Sequence, residues 1–175
     1  RAAGIRTVVV TGDHKATGVA VATMLGIARP GDEAVDGPEL AALSDKLGLV
    51  LMVGHVFLFN SAVRVVKKQV DAGDLGRLFY ISMERTNLGP IRLDVNAAWD
   101  LAAHDVSIVD YWLGQGALTA SAVGAAYINP GVQDVVFATL KYPNDVLVNL
   151  KTSWLNPRKE RRPVLRFEGF GAGPN

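Results

Sequence analysis

The sequence predicts an α+β fold, in which an N-terminal strand–helix fragment is joined to a mostly antiparallel open sheet backed by helices. Three observations carry this. Residues 5–25 read as a strand, a loop and a helix; residues 61–72 and 99–113 repeat apolar side chains at helical spacing; and beyond residue 116 short segments alternate as half-buried strands do.

In the first segment, IRTVVVTG (residues 5–12) is a β-branched run ending at a Gly-Asp turn. Residues 15–25, KATGVAVATML, favour a helix closed by Gly26, with Thr11 or Asp13 placed to serve its first turn. Residues 29–38, RPGDEAVDGP, have the composition of a linker. A short helix is expected over residues 39–47, with Pro38 before it and Gly48 ending it. The continuous apolar run LVLMVGHVF at 49–57 reads as a buried strand with His55 at its mouth, either meeting a ligand there or packed beside Phe57 and Phe59. A helix over 61–72, ended by GDLG, leads into a strand LFYISMER. The loop NLGPIRLDVN (87–96) then delivers the chain into a second helix. After it come LTASAVGAAYI, then VQDVVFATLKY and VLVNLKTSW as an antiparallel hairpin about Pro143, Asn144 and Asp145, and a final strand VLRFEGF. The charged run RKERR at 158–162 has the composition to grip a phosphate, but between Pro157 and Pro163 it reads as a solvated turn before that strand.

Composition narrows the functional classes. Hydrophobic residues make up 49% and charged ones 20% of 175 residues, and no apolar run is long enough to span a bilayer. A net charge of +1 provides no long-range field for nucleic acid or an acidic membrane, so neither partner is expected. With no cysteine there are no disulfides, thiolate nucleophiles or zinc–sulfur sites, which suits a cytoplasmic location; no metal site is expected. The chain begins at Arg1 without a methionine, and reads as the interior of a longer frame or a processed chain.

The densest set of reactive groups lies in WDLAAHDVSIVDYWLG, residues 99–114. Ala98, Leu101, Ala102, Val109, Trp112 and Leu113 form an apolar face, while Asp100, His104, Ser107 and Tyr111 recur beside it. A carboxylate four residues before an imidazole can fix its tautomer or raise its pKa, and such a histidine can take or give a proton. Asp100 can equally be the N-cap of a helix beginning at Leu101.

Two resemblances extend this reading. AGIRTVVVTGDHKATGVAVATMLGIA, about residues 3–28, resembles the phosphorylation domain of P-type cation-transporting ATPases around their Thr-Gly-Asp motif. That would place Thr11, Gly12 and Asp13 near a nucleotide and its transferred phosphoryl group. The Asp-Lys-Thr-Gly-Thr and Gly-Asp-Gly-x-Asn-Asp motifs of that family do not occur here, so ATP-driven transport is not expected. From about residue 41 to 169, the segments GLVLMVGHVFLFNSAV, DAGDLGRLFYI, RTNLGPIRLDVNAAWDLAAHDVSIVDYWLG and VQDVVFATLKYPNDVLVNLKTSWLNPRKERR resemble the glucose-fructose oxidoreductase and inositol dehydrogenase (Gfo/Idh/MocA) family, in the branch acting on nucleotide-linked N-acetyl sugars.

The second resemblance implies hydride transfer between NAD(P) and a sugar or nucleotide sugar. It assigns His104 to the reacting hydroxyl with Asp100 orienting it, His55, Phe57 and Asn60 to the cofactor side, and Arg92, Asn96 and Trp99 to the substrate. It also implies a homodimer through the sheet face. The family's Glu-Lys-Pro lysine and its G-x-G-x-x-G loop have no counterpart in these residues, which makes NAD(P) binding by the chain doubtful and the chain inactive alone. The expected organisation is a strand–helix fragment over 1–36, a linker helix over 37–48, and an oxidoreductase substrate and oligomerisation domain over 49–175, with a junction between 36 and 49. The rival readings are a nucleotide-binding fragment of a cation pump and a non-catalytic dimerisation module.

Overall fold

The computed structural model describes residues 15–29, 31–89 and 91–168. The chain divides into two compact units, residues 1–54 and 55–175. The expected strand at 5–12 lies outside the described residues.

The first unit contains α1 (Lys15–Met24) and α2 (Gly37–Leu47). Both end in the same way. Gly26 and Gly48 adopt left-handed φ of 66° and 62°, which lets Ile27 N–H reach Ala22 C=O at 2.9 Å and Leu49 N–H reach Ser44 C=O at 3.0 Å. These are the six-to-one bonds that satisfy a helix's orphan carbonyls. At its start α2 is held by a capping box: Asp36 accepts from Glu39 N–H, and Glu39 accepts from Asp36 N–H, each at 2.9 Å. Lys15 Nζ donates to the same Glu39 carboxylate at 2.6 Å, joining the two helix starts. Local chemistry therefore accounts for both helices. Core packing does not, because only Ala22 and Ser44 are buried among the described residues of this unit, while Met24 and Leu25 are largely exposed.

The expected strand at 49–57 is not formed. Residues 49–55 have no regular structure, Val50 is 97% exposed, and a 3-10 turn follows at Val56–Phe59. An apolar run becomes a strand only where a neighbouring edge takes its N–H and C=O groups, and no described strand pairs with it.

The second unit is a five-stranded sheet, β1 (Leu78–Thr86), β2 (Thr119–Ala125), β3 (Val135–Lys141), β4 (Leu147–Ser153) and β5 (Glu160–Phe167), in the order β2-β3-β4-β1-β5. The β1–β4 pair is parallel and the other pairings are antiparallel, as expected for a mostly antiparallel open sheet. The β3–β4 hairpin turns through Pro143, Asn144 and Asp145, closed by Tyr142 N–H on Val146 C=O at 2.9 Å, with Asn144 and Asp145 both at φ near 60°. One face is covered by α3 (Ser61–Ala72) and α4 (Ala103–Leu113). Inward residues of the sheet, Ile81, Met83, Leu140, Val148 and Leu150, pack with Ile108, Val109 and Trp112 of α4 and with Val63, Val66 and Val70 of α3.

Two polar bonds fix α4 within this core. Trp112 Nε1 donates to Val63 C=O of α3 at 2.9 Å, and the buried Tyr142 hydroxyl donates to Asp110 at 2.6 Å. Burial and the Asp110 carboxylate both hold the Tyr142 phenol well above its ordinary pKa, so it remains a donor across the working pH range. Tyr142→Phe is expected to cost about 1–2 kcal/mol in urea unfolding, because Asp110 loses its partner while the ring volume stays the same.

Candidate functional site

The loop after β1 enters its helix through a wide π turn at Ala98–Ala102, which carries Asp100, and continues as α4, which carries His104. Asn96 starts the turn, its side chain accepting from Trp99 N–H at 3.1 Å. The capping role read for Asp100 is thus performed by Asn96. Because the turn closes i→i+5 bonds, Asp100 is rotated from the position an α-helix would give it relative to His104. Its carboxylate accepts from Trp154 Nε1 at 2.9 Å and lies 4.0 Å from Arg92 Nη1, and no hydrogen bond joins it to His104 among the described residues. The carboxylate still acts on the imidazole through space.

Behind His104 stands a buried ion pair. Arg85 on β1 donates to Asp105 Oδ1 from Nε at 2.8 Å and from Nη2 at 2.5 Å, and both side chains are almost wholly buried. The Phe57 ring meets the edge of His104 with centroids 4.9 Å apart, and it carries the Arg85 and Arg161 guanidinium carbons at 4.7 and 5.0 Å. Phe57, Arg85, Thr86, Asn87, Asp100, Leu101, His104, Lys159 and Arg161 line a cavity of about 150 Å³ that opens to solvent.

His104 is partly buried, and this burial, followed by the positive charge of Arg85, lowers its pKa from the ordinary 6.5, outweighing the opposing carboxylates of Asp105 and Asp100. It is neutral at pH 7 and able to accept a proton. Between its folded value and 6.5 the unfolded chain binds more protons, so this group's contribution to stability is present above 6.5 and lost as pH falls through the folded value. Its ring Hε1 resonance is expected to titrate with a midpoint below 6.5; a midpoint above 6.5 contradicts this environment.

The structure brings together Phe57, Asp100 and His104 of the residues read from the sequence. The others lie outside the cavity lining. His55 begins the 3-10 turn, and Asn60 is spent on capping α3, accepting from Ala62 N–H at 2.9 Å. Arg92 is paired with Asp94 at 2.7 Å, Asn96 donates to Gln133 at 3.4 Å, and Trp99 is 75% exposed. Thr11, Gly12 and Asp13 fall outside the described residues.

Arg85 and Asp105 were not singled out by the sequence reading, and Lys159 and Arg161 entered it only as part of the charged run at 158–162. For Arg85 a signal existed: it continues the inward alternation of Ile81 and Met83, and an inward cation requires a buried partner. The solvated turn read at 158–162 is corrected, since β5 begins at Glu160 and pairs with β1 up to Thr86. Strand alternation then sends Arg161 to the Phe57 side, opposite Arg85, and Arg162 to the other face, where it meets Glu84 at 3.2 Å. Among the described residues no helix is long and apolar enough to cross a membrane.

Known proteins of two kinds match the chain. Calcium-transporting ATPase 1 of Lactococcus lactis subsp. lactis is 49% identical over 43 residues, 25% of this chain and 5% of the pump. The pump of the same name in Bacillus cereus is 36% identical over 108 residues, 60% of this chain and 12% of the pump. Among solved structures, the UDP-N-acetylglucosamine 3-dehydrogenase GnnA from Acidithiobacillus ferrooxidans aligns at a TM-score of 0.62 with 25% identity, over 87% of this chain and 51% of that one. The WlbA dehydrogenase from Bordetella pertussis, in complex with NADH and UDP-GlcNAcA, aligns at 0.65 with 20% identity, over 75% and 44% respectively. The chain therefore spans about half the length of these dehydrogenases and a small fraction of the pumps. The model of the GFO/IDH/MocA C-terminal domain matches residues 63–172, most of the chain and nearly all of the sheet-and-helix unit, and the protein belongs to the Gfo/Idh/MocA family.

Proposed function

We propose that this chain is the substrate domain of a nicotinamide-dependent oxidoreductase acting on a sugar or nucleotide sugar by hydride transfer. The observation that carries the reading is His104: a neutral imidazole, held against Phe57, at a cavity the size of one sugar ring. In this role His104 accepts the proton of the reacting hydroxyl, and Asp100, anchored by Trp154, favours the imidazolium that results. The nicotinamide supplies the hydride acceptor or donor.

These residues do not fit a whole dinucleotide. The cavity is smaller than the 300–1,000 Å³ or so of a drug-sized pocket, and the sequence contains no G-x-G-x-x-G loop to hold a pyrophosphate. On this reading the 175 residues do not turn over alone; the cofactor is held by a dinucleotide-binding domain outside them.

Residues 1–36 are read as a fragment of a P-type ATPase phosphorylation domain and 37–48 as a linker helix, joined to the substrate domain over 49–175. The lack of a core among the described residues of the first unit and the identity with calcium pumps support that origin. The sheet face away from the helices carries exposed Tyr80, Phe137 and Leu147 and is proposed as a homodimer surface. The location proposed is the cytoplasm.

Calorimetric titration separates the readings. Binding of UDP-N-acetylglucosamine, lost in His104→Ala, is the expected result; binding of Mg-ATP with no response to the sugar nucleotide favours the pump fragment and overturns the proposal.

A further inference from the structure

The charges around the cavity are not equally committed. Arg85 is neutralised by Asp105, and Asp100 is occupied by Trp154 and Arg92. Arg161 and Lys159 have no carboxylate or hydrogen-bond partner among the described residues. They leave the cavity with an excess of positive charge at the side formed by the start of β5.

Arg161 is nonetheless held in place. Its backbone is fixed by pairing with Arg85 across the β1–β5 ladder, and its guanidinium lies over Phe57 at 5.0 Å, the same ring that abuts His104. Stacking of this kind engages the face of the guanidinium and leaves its edge N–H donors unspent. The segment carrying Lys159 is tied down one residue earlier, where Thr86 Oγ1 donates to Arg158 C=O at 3.2 Å. An anchored guanidinium with free donors, next to an ammonium, at the rim of a cavity of one-ring size, is a receptor for an oxyanion carried on the ring that enters.

We propose that Arg161, with Lys159, binds an anionic substituent of the sugar, a carboxylate or a phosphate, while its reacting hydroxyl faces His104. The site selects acidic or phosphorylated sugars over neutral ones. This rests on the reading of the cavity as a sugar site and adds the residues that select among sugars there. Arg161 is a specificity residue here, and His104 remains the proton acceptor.

The test is titration of the whole chain with three probes, glucose, glucuronate and glucose 1-phosphate, followed through the His104 Hε1 resonance and by calorimetry. Glucuronate or glucose 1-phosphate is expected to bind about tenfold or more tightly than glucose, the scale of one or two charge-assisted hydrogen bonds. Preference for glucuronate identifies a carboxylate on the ring, and preference for the 1-phosphate identifies the anomeric phosphate. In Arg161→Gln, an exposed strand position whose fold is checked by circular dichroism, the preference should fall to within about twofold, and Lys159→Gln should reduce it in part. Equal binding of glucose and both anions, a preference that survives in Arg161→Gln, or no binding of any probe overturns the proposal. Equal binding that still shifts His104 leaves the sugar-site reading standing. Anion-selective binding lost in Arg161→Gln without any His104 shift supports the anion receptor and counts against His104 as the reacting group.

Discussion

Asp105→Ala is expected to destabilise the sheet-and-helix unit by about 3–5 kcal/mol, the range for removing one partner of a buried ion pair. Asp105 supplies the acceptor for two Arg85 donors, and both residues lie between β1 and α4 with almost no access to water. Truncating the carboxylate leaves a guanidinium buried against Phe57 with no counter-charge. A smaller loss is expected for the double change Arg85→Met with Asp105→Leu, which removes both charges and keeps apolar volume. Urea unfolding of these two variants beside the unaltered chain gives the comparison. Equal losses for the single and double changes would mean that packing, and not an uncompensated charge, sets the cost.

The second large effect concerns chemistry. With the chain supplied with NAD, a nucleotide sugar and the dinucleotide-binding domain of a relative, His104→Gln is expected to lower kcat/KM by about 10²–10⁴-fold, the usual worth of a general base. The glutamine keeps a polar side chain against Phe57 but cannot take a proton. Since the imidazole pKa is lowered from 6.5, the wild-type rate should hold through neutral pH and fall only on the acid side of 6.5. A His104→Gln variant that retains the wild-type rate and pH profile would remove His104 from the chemistry.

Much of this architecture was legible in the residues. The β3–β4 hairpin follows from alternation either side of an Asn-Asp turn that tolerates positive φ, and α2, α3 and α4 stop at Gly48, Gly73 and Gly114, each left-handed. His104 and Asp100 stood out by type and spacing. What was hidden is non-local. The Arg85–Asp105 bond joins positions 20 apart in sequence; the alternation of β1 marks Arg85 as inward, but nothing local names Asp105 as its partner. The π turn that redirects Asp100 has no spacing signature. Residues 49–57 misled because an unbroken apolar run reports a tendency to be buried and says nothing about a pairing edge. At 158–162 the density of charge masked an alternation that places one arginine at the cavity and the next on the opposite face.

The proposed chemistry depends on a sugar hydroxyl meeting His104 in the cavity beside Phe57. Its most direct measurement is the proton NMR spectrum of the chain during titration with a UDP-linked N-acetyl sugar, with the His104 Hε1 and Phe57 ring resonances assigned by His104→Gln and Phe57→Leu. Saturable shifts are expected in both sets of resonances while the Tyr142 ring in the core stays unchanged. Binding that leaves His104 and Phe57 unmoved would contradict that chemistry.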